Sequence, residues 1–215
     1  MEIVGRYQAP ATLKEAAALQ RKLRDLVIPR GRVRDRLVAG VDVGYKGGIA
    51  RAAAVVLRRL EPVEEVVIEE PVSFPYVPGL LSFREIPPLL TAWKRLKTRP
   101  DVVIVDGQGI AHPRRFGVAS HFGLLIGVPT IGCAKSRLVG EFDRPAQPRG
   151  SWSPLRHRGE TIGAVLRTRD GGNPVFVSPG HLIGLRRAIS VVLACAPRYR
   201  LPEPQRRADR LTQSP

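Results

Sequence analysis

The order of hydrophobic patterns along the chain constrains its fold more than any other feature. Three β-type runs, at residues 37–45, 50–57 and 65–71, follow one another with only Gly-Gly and Glu-Pro turn signals between them. Connections that short favour antiparallel pairing, because a parallel crossover takes a dozen residues or more. The pattern then changes to alternation. A helix ends near residue 97, and an apolar strand (101–105), a helix (118–126) and a second buried-type strand (129–133) follow. A β-β-β-α-β-α-β order implies an α/β fold, a mixed central sheet covered by helices.

A chain of 215 residues suits a single domain over 1–215 with a core of its own. Ahead of the strands an amphipathic helix is expected over 11–27, with Thr12 and Glu15 at capping-box spacing. Residues 141–159 are rich in Pro, Gly, Ser and Arg and read as a long basic excursion. A hairpin follows (161–167 and 174–177, turning at Asp170-Gly171-Gly172), then a last helix opened by Pro179. Residues 197–215 read as a polar, basic tail.

Lys and Arg number 35 against 19 Asp and Glu, a net charge of +16. That balance suits a polyanionic partner, most often nucleic acid. The two cysteines, Cys133 and Cys195, lie far apart and form no CxxC, which excludes a disulfide scaffold or a zinc ribbon. No apolar run approaches the ~18 residues that span a bilayer. The opening MEIVGRYQAP has neither the basic start nor the apolar stretch of a signal peptide. A cytoplasmic protein without a membrane partner is expected.

Asp42 is the most informative single residue. In the first β run it shares a face with Val38, Gly40 and Gly44. A buried, unpartnered carboxylate costs several kcal/mol, and its glycine neighbours leave room for an approaching ligand or backbone. An inward charge that blunts a sheet edge is the alternative. Asp106 closes the apolar run 102–105 and precedes Gly107; it fits a strand-end site and equally an Asp-Gly turn. For Glu85, Ser82 stands at capping-box spacing, but Pro87 and Pro88 would then fall inside the helix. Starting the helix at Pro87 frees Glu85 from capping, and the two readings stand level.

Three carboxylates without a His/Cys cluster point to a hard cation, Mg²⁺ or Mn²⁺, rather than zinc. The histidines at 112, 121, 157 and 181 show no HExxH and no finger spacing. A carboxylate-held divalent cation beside a basic surface is a combination used to cut phosphodiesters. Lys135 follows the strand 129–133, where it could steady a phosphate or simply extend into solvent. Tyr76 sits between Pro75 and Pro78 on a stiff loop, either as a wedge into a base stack or packed beneath its own loop. No GxxxxGK[ST] motif is present.

The stretches AGVDVGYKGGIARAAAVVL, FPYVPGLLSFREIP, DGQGIAHPRRFGVASHFGLLIGVPTIGCAKSRLVG and RGSWSPLRHRGETIGAVLRTRDGGNPVFVSPGH resemble the endonuclease V family, from about residue 10 to the tail. The resemblance implies a ribonuclease H-like fold, a monomer, and Mg²⁺-dependent cleavage (Mn²⁺ as a substitute) of DNA containing deaminated bases, chiefly deoxyinosine. The implied cut falls at the second phosphodiester 3′ to the lesion and leaves 3′-hydroxyl and 5′-phosphate ends. Inosine-containing RNA is the alternative substrate of the same fold, and a non-catalytic nucleic-acid-binding module is a further alternative.

By motif, Asp42 and Asp106 match the family's metal-ligand positions, Glu85 the third acidic position and Lys135 the active-site lysine. Tyr76 and Pro78 fall on the strand-separating loop. Gly79, Leu81, Gly107, Val118, Gly132 and Ser136 match the lesion pocket, where glycines let backbone approach a flipped base. His112 and His121 match histidines near the site, for support or substrate contact. Departures occur at Gln205, where many relatives carry Thr, and at Asp209, where others carry His or Asp. A carboxylate at Asp209 could join the metal site.

Overall fold

The computed structural model describes residues 1–213. Eight strands form one mixed sheet: β1 (Leu37–Lys46), β2 (Ile49–Arg58), β3 (Glu61–Pro71), β4 (Val102–Val105), β5 (Thr130–Ala134), β6 (Trp152–His157), β7 (Glu160–Leu166) and β8 (Val175–His181). Their order is β3-β2-β1-β4-β5-β8-β7-β6. The first three strands pair as the expected antiparallel meander. Strands β4 and β5 then extend the sheet in parallel from β1.

Five helices accompany it: α2 (Leu81–Arg95), α3 (Val118–Ile126), α4 (Leu185–Ala194) and α5 (Glu203–Gln213) pack on the sheet, and α1 (Leu13–Leu23) packs against Leu80 and Phe83 at the start of α2. Thr12 caps α1 as its spacing predicts, with Oγ1 accepting from the Glu15 N–H at 3.1 Å. One face of the sheet packs Ala39, Val41 and Val105 against Ile86, Trp93 and Phe122 of α2 and α3. The other packs Val38 and Ile104 against Ile189 and Val192 of α4. Ala208 of α5 meets Ala53, Val55 and Leu57 of β2. Because Ala53 is the register partner of Asp42, α5 lies on Asp42's side of the sheet.

Four expectations are corrected. Helix α2 starts at Leu81 rather than at Pro87 and runs through both prolines. Its N-cap, Leu80, makes no side-chain bond, so the Ser82–Glu85 box does not form either. Pro87 cannot donate to the Phe83 carbonyl four residues back; the Tyr7 hydroxyl donates to it instead, at 3.2 Å. Pro179 does not open a helix. It lies within β8 at a register shift opposite Ile131, where a missing N–H is tolerated, and the last-but-one helix begins at Leu185. The stretch 141–159 contains strand β6. The basic tail folds as α5, and its residues 214 and 215 lie outside the described residues.

Candidate active site

The glycines of β1 determine where the site forms. A Cβ on Gly40 would stand 2.1 Å from the Pro204 carbonyl carbon, and one on Gly44 would stand 2.9 Å from the Thr212 carbonyl oxygen. The space beside Asp42 is therefore filled by the backbone of α5, which lies directly on the strand. Gln205, fully buried, donates from Nε2 to the Cys133 carbonyl at 3.0 Å and fixes the first turn of α5 to β5. One turn later the same helix delivers Asp209.

The parallel register does the rest. Val41 pairs with Val105, so Asp42 and Asp106, the next residues on each chain, stand level. Carboxylate oxygens of Asp42, Asp106 and Asp209 lie within 4.8 Å of one another and could hold a metal ion. Lys135, just past β5, places Nζ 2.8 Å from Asp106 Oδ2 and 2.8 Å from Asp209 Oδ1. Thr212 Oγ1 donates to Asp42 Oδ2 at 2.7 Å, and Gln213 Nε2 to Asp209 Oδ2 at 2.9 Å.

Burial, reinforced by the neighbouring carboxylates, raises the Asp42 pKa to about 6 even though Thr212 pulls it down. Burial also raises Asp106, against the opposing pull of Lys135. Glu85 lines the same cavity but is not one of the close trio among the described residues. Its carboxyl is held well above the usual range by burial and by the charges of Asp42 and Asp106. Between these acids and the surface lies a cavity of about 540 Å³.

Gly79, Leu81, Gly107, Val118 and Ser136 form its wall together with Pro78. Gly132 does not reach the wall; it lies beneath the 107–109 loop, where a Cβ would stand 2.3 Å from the Gly109 nitrogen. Tyr76 projects at the mouth, 69% exposed, and so is not packed beneath its own loop. The Gly79 carbonyl accepts from Gln20 Nε2 at 3.1 Å, His112 Nε2 at 3.0 Å and Arg114 at 2.6 Å, which anchors the loop that carries Tyr76. The His112 ring is buried and depressed to about 4, hence neutral. His121 is enclosed by the rings of Tyr7, Phe83 and Phe116, and burial lowers it to about 3. It packs; it does not face the cavity.

Sequence reasoning missed Gln20, Arg114, Thr212 and Gln213. For the last two a signal existed: Asp209, Thr212 and Gln213 stand at i, i+3 and i+4, the spacing of one helix face.

A meander, two parallel strands and a C-terminal helix that converge their carboxylates on one point define a ribonuclease H-like nuclease. The chain belongs to the endonuclease V family, whose sequence pattern matches residues 21–210. It is 51% identical to endonuclease V of Trichormus variabilis over the full length of both chains. The endonuclease V structure from Streptomyces avermitilis superimposes with a TM-score of 0.91 at 47% identity, covering 95% of this chain and 93% of that one. Endonuclease V of Ciona intestinalis, solved in complex with a 24mer DNA containing an inosine followed by a ribo-adenosine, gives a TM-score of 0.82 at 28% identity, with 94% and 96% covered.

Proposed function

We propose that the protein is a repair endonuclease that recognises deaminated bases in DNA, chiefly deoxyinosine, and hydrolyses the second phosphodiester 3′ to the lesion to leave 3′-hydroxyl and 5′-phosphate ends. The observation that carries this is the carboxylate trio with Lys135, set beside a cavity walled by small residues and backbone. Oxygen donors of this kind suit Mg²⁺, with Mn²⁺ as a substitute. Asp42, Asp106 and Asp209 would hold such a cation, which would supply positive charge against the scissile phosphate and lower the pKa of an attacking water.

The protein's own groups do the remaining work. Lys135 counters the crowded carboxylates and presents its ammonium to the phosphate. Glu85 contributes a further oxygen at the cavity wall. Tyr76, on a loop stiffened by Pro75 and Pro78, fills the gap left when the lesion leaves the stack. Gly79 and Gly107 have φ of +78° and +150°, so only glycine keeps those walls thin enough for a flipped base. Val118 closes the pocket against Gly107, and a fit this tight selects by shape. We further infer one catalytic domain over 1–215, acting as a monomer in the cytoplasm. Among the described residues no helix is long and apolar enough to cross a membrane, and both cysteines are buried and free.

The test is end-labelled duplex DNA with one deoxyinosine, incubated with Mg²⁺ and then with EDTA. A metal-dependent nick one nucleotide beyond the inosine's own 3′ linkage is expected. Asp42→Ala and Asp106→Ala should abolish it, and full cleavage by either variant refutes the assignment. A matched inosine RNA that is cut while the DNA is not would move the substrate to RNA.

A further inference from the structure

Residues 27–36 connect the turn after α1 to β1 as a strap with neither helix nor strand. Its inner side is anchored throughout. The Ile28 carbonyl accepts from the Leu182 N–H at 2.7 Å, and the Ile28 N–H meets His181 Nδ1 at 3.2 Å. Gly31 presses on the Leu182 carbonyl, which a Cβ would approach to 2.5 Å. Val33 packs on the α4 side of the core, and its carbonyl accepts from Arg187 at 2.9 Å. Asp35 pairs with the same arginine at 2.9 Å, and Asp101 accepts the N–H groups of Arg36 and Leu37.

The alternate residues face outward. Arg30, Arg32, Arg34 and Arg36 are all exposed, and among the described residues none of these four side chains has a hydrogen bond or ion pair. The one acid between them, Asp35, is already engaged by Arg187. Successive arginines are two residues apart, so their backbones lie at most about 7 Å from one another, which is of the order of the step between neighbouring phosphates on a nucleic acid strand. Like charges held this close repel, so the anchors keep in place a row that gains by meeting a polyanion. A frame already fixed loses little entropy on binding.

The position of the strap matters as much as its charge. It enters β1 six residues before Asp42, about 20 Å away at a strand's rise, at the opposite ends of the strands from the carboxylates. Leu37 is the register partner of Arg58, so the β2–β3 turn brings exposed Arg58 and Arg59 to the same end.

We propose that this arginine strap is a second phosphodiester-binding surface, which takes the backbone of a second stretch of duplex DNA while the cavity holds the first. The identity of the polyanion rests on the nuclease reading; the surface itself does not. The deciding measurement is binding of a short lesion-free duplex across a salt series, for the wild type and for R30Q/R32Q/R34Q/R36Q. Losing up to four phosphate contacts should flatten the slope of log K against log salt by about 3 to 4. With bead-held protein whose cavity is first filled by unlabelled inosine duplex, capture of a labelled lesion-free duplex should fall at least about tenfold.

The quadruple variant should cut a short single-stranded inosine oligonucleotide within about twofold of wild type, which reports that the fold and the cavity are intact. The four Arg→Lys replacements should restore most of the capture, since charge rather than packing is at work. An unchanged salt slope and unchanged capture overturn the proposal. So does a strap-dependent affinity for RNA or for phosphatidylserine vesicles that duplex DNA does not share. Failure of the wild type to cut inosine DNA refutes the nuclease reading alone, because the salt series is read without cleavage.

Discussion

The Lys135 ammonium lies 2.8 Å from Asp209, a residue 74 positions later in the chain, and equally 2.8 Å from Asp106. One side chain thus joins the end of β4, the end of β5 and the last helix. Burial and hydrogen bonds to both carboxylates act on it in opposite senses, and the carboxylates prevail: the lysine stays firmly protonated, its pKa above the usual value.

If that charge serves the phosphate rather than the architecture, Lys135→Met separates cutting from cation binding. Cleavage should fall about 100-fold or more. Mn²⁺ affinity by calorimetry should be retained or tightened, because a competing positive charge has left the trio. Lys135→Arg should restore little, since a planar fork does not replace a point charge reaching two oxygens. Loss of Mn²⁺ binding in Lys135→Met would assign the lysine to holding the carboxylates together instead.

Gly40→Ala tests whether α5 must lie on β1. The added methyl meets the Pro204 backbone at 2.1 to 2.2 Å, and backbone cannot rotate away as a side chain can. The helix must lift, at a cost of about 1–3 kcal/mol or more, and Asp209 moves with it. Both thermal stability and Mn²⁺ affinity should drop. Gly184→Ala, whose Cβ meets nothing within 4 Å, is the control: as the N-cap of α4 it should lose a little thermal stability and none of the Mn²⁺ affinity.

Asp42 makes a prediction about pH. Its folded pKa of about 6 exceeds the 3.8 of an unperturbed group, so between those values the folded protein holds a proton that the unfolded chain has released. Stability from this group is therefore lost as pH rises through that window, by roughly 3 kcal/mol in total. The buried histidines, lowered by burial, act in the opposite sense over an overlapping range, so the raw stability curve does not isolate it. Comparison with Asp42→Asn in EDTA does. The variant should match wild type near pH 4 and become the more stable protein by pH 7. A stability difference that stays flat with pH would show that Asp42 ionises without cost.

These tests bear on what the sequence could and could not convey. The β1–β3 meander, the bounds of α3, the mid-strand position of Asp42 and the strand-end position of Asp106 were legible because period and turn chemistry are local. The prolines were misleading because their rescue is not local. Pro87 is accommodated by Tyr7, and Pro179 by a register shift against β5. Asp209 was reached only through the family resemblance, as a carboxylate that could join the metal site, because its local pattern carries no sign of that place. Its segment reads as a basic tail, and only the contacts of Gly40 and Gly44 with α5 show that this segment completes the site.

Tyr76 gives the sharpest test of substrate handling, because its side chain is 69% exposed at the cavity mouth while its loop is fixed from below. Three donors hold the Gly79 carbonyl, so removing the tyrosine ring should leave the loop and the fold in place. Tyr76→Ala should accordingly melt within about 2 °C of wild type, as expected for a surface change. A ring that separates strands contributes stacking of about 1–3 kcal/mol per base, and it contributes most where a partner strand must be displaced. Binding to an inosine duplex should weaken about tenfold or more, with a smaller loss on the single strand of the same sequence. Gln20→Ala, which removes one donor from beneath the loop and leaves the ring intact, should produce a weaker version of the same duplex-selective defect. Equal losses on both substrates would remove the wedge from the mechanism and leave Tyr76 as a general contact to the nucleic acid.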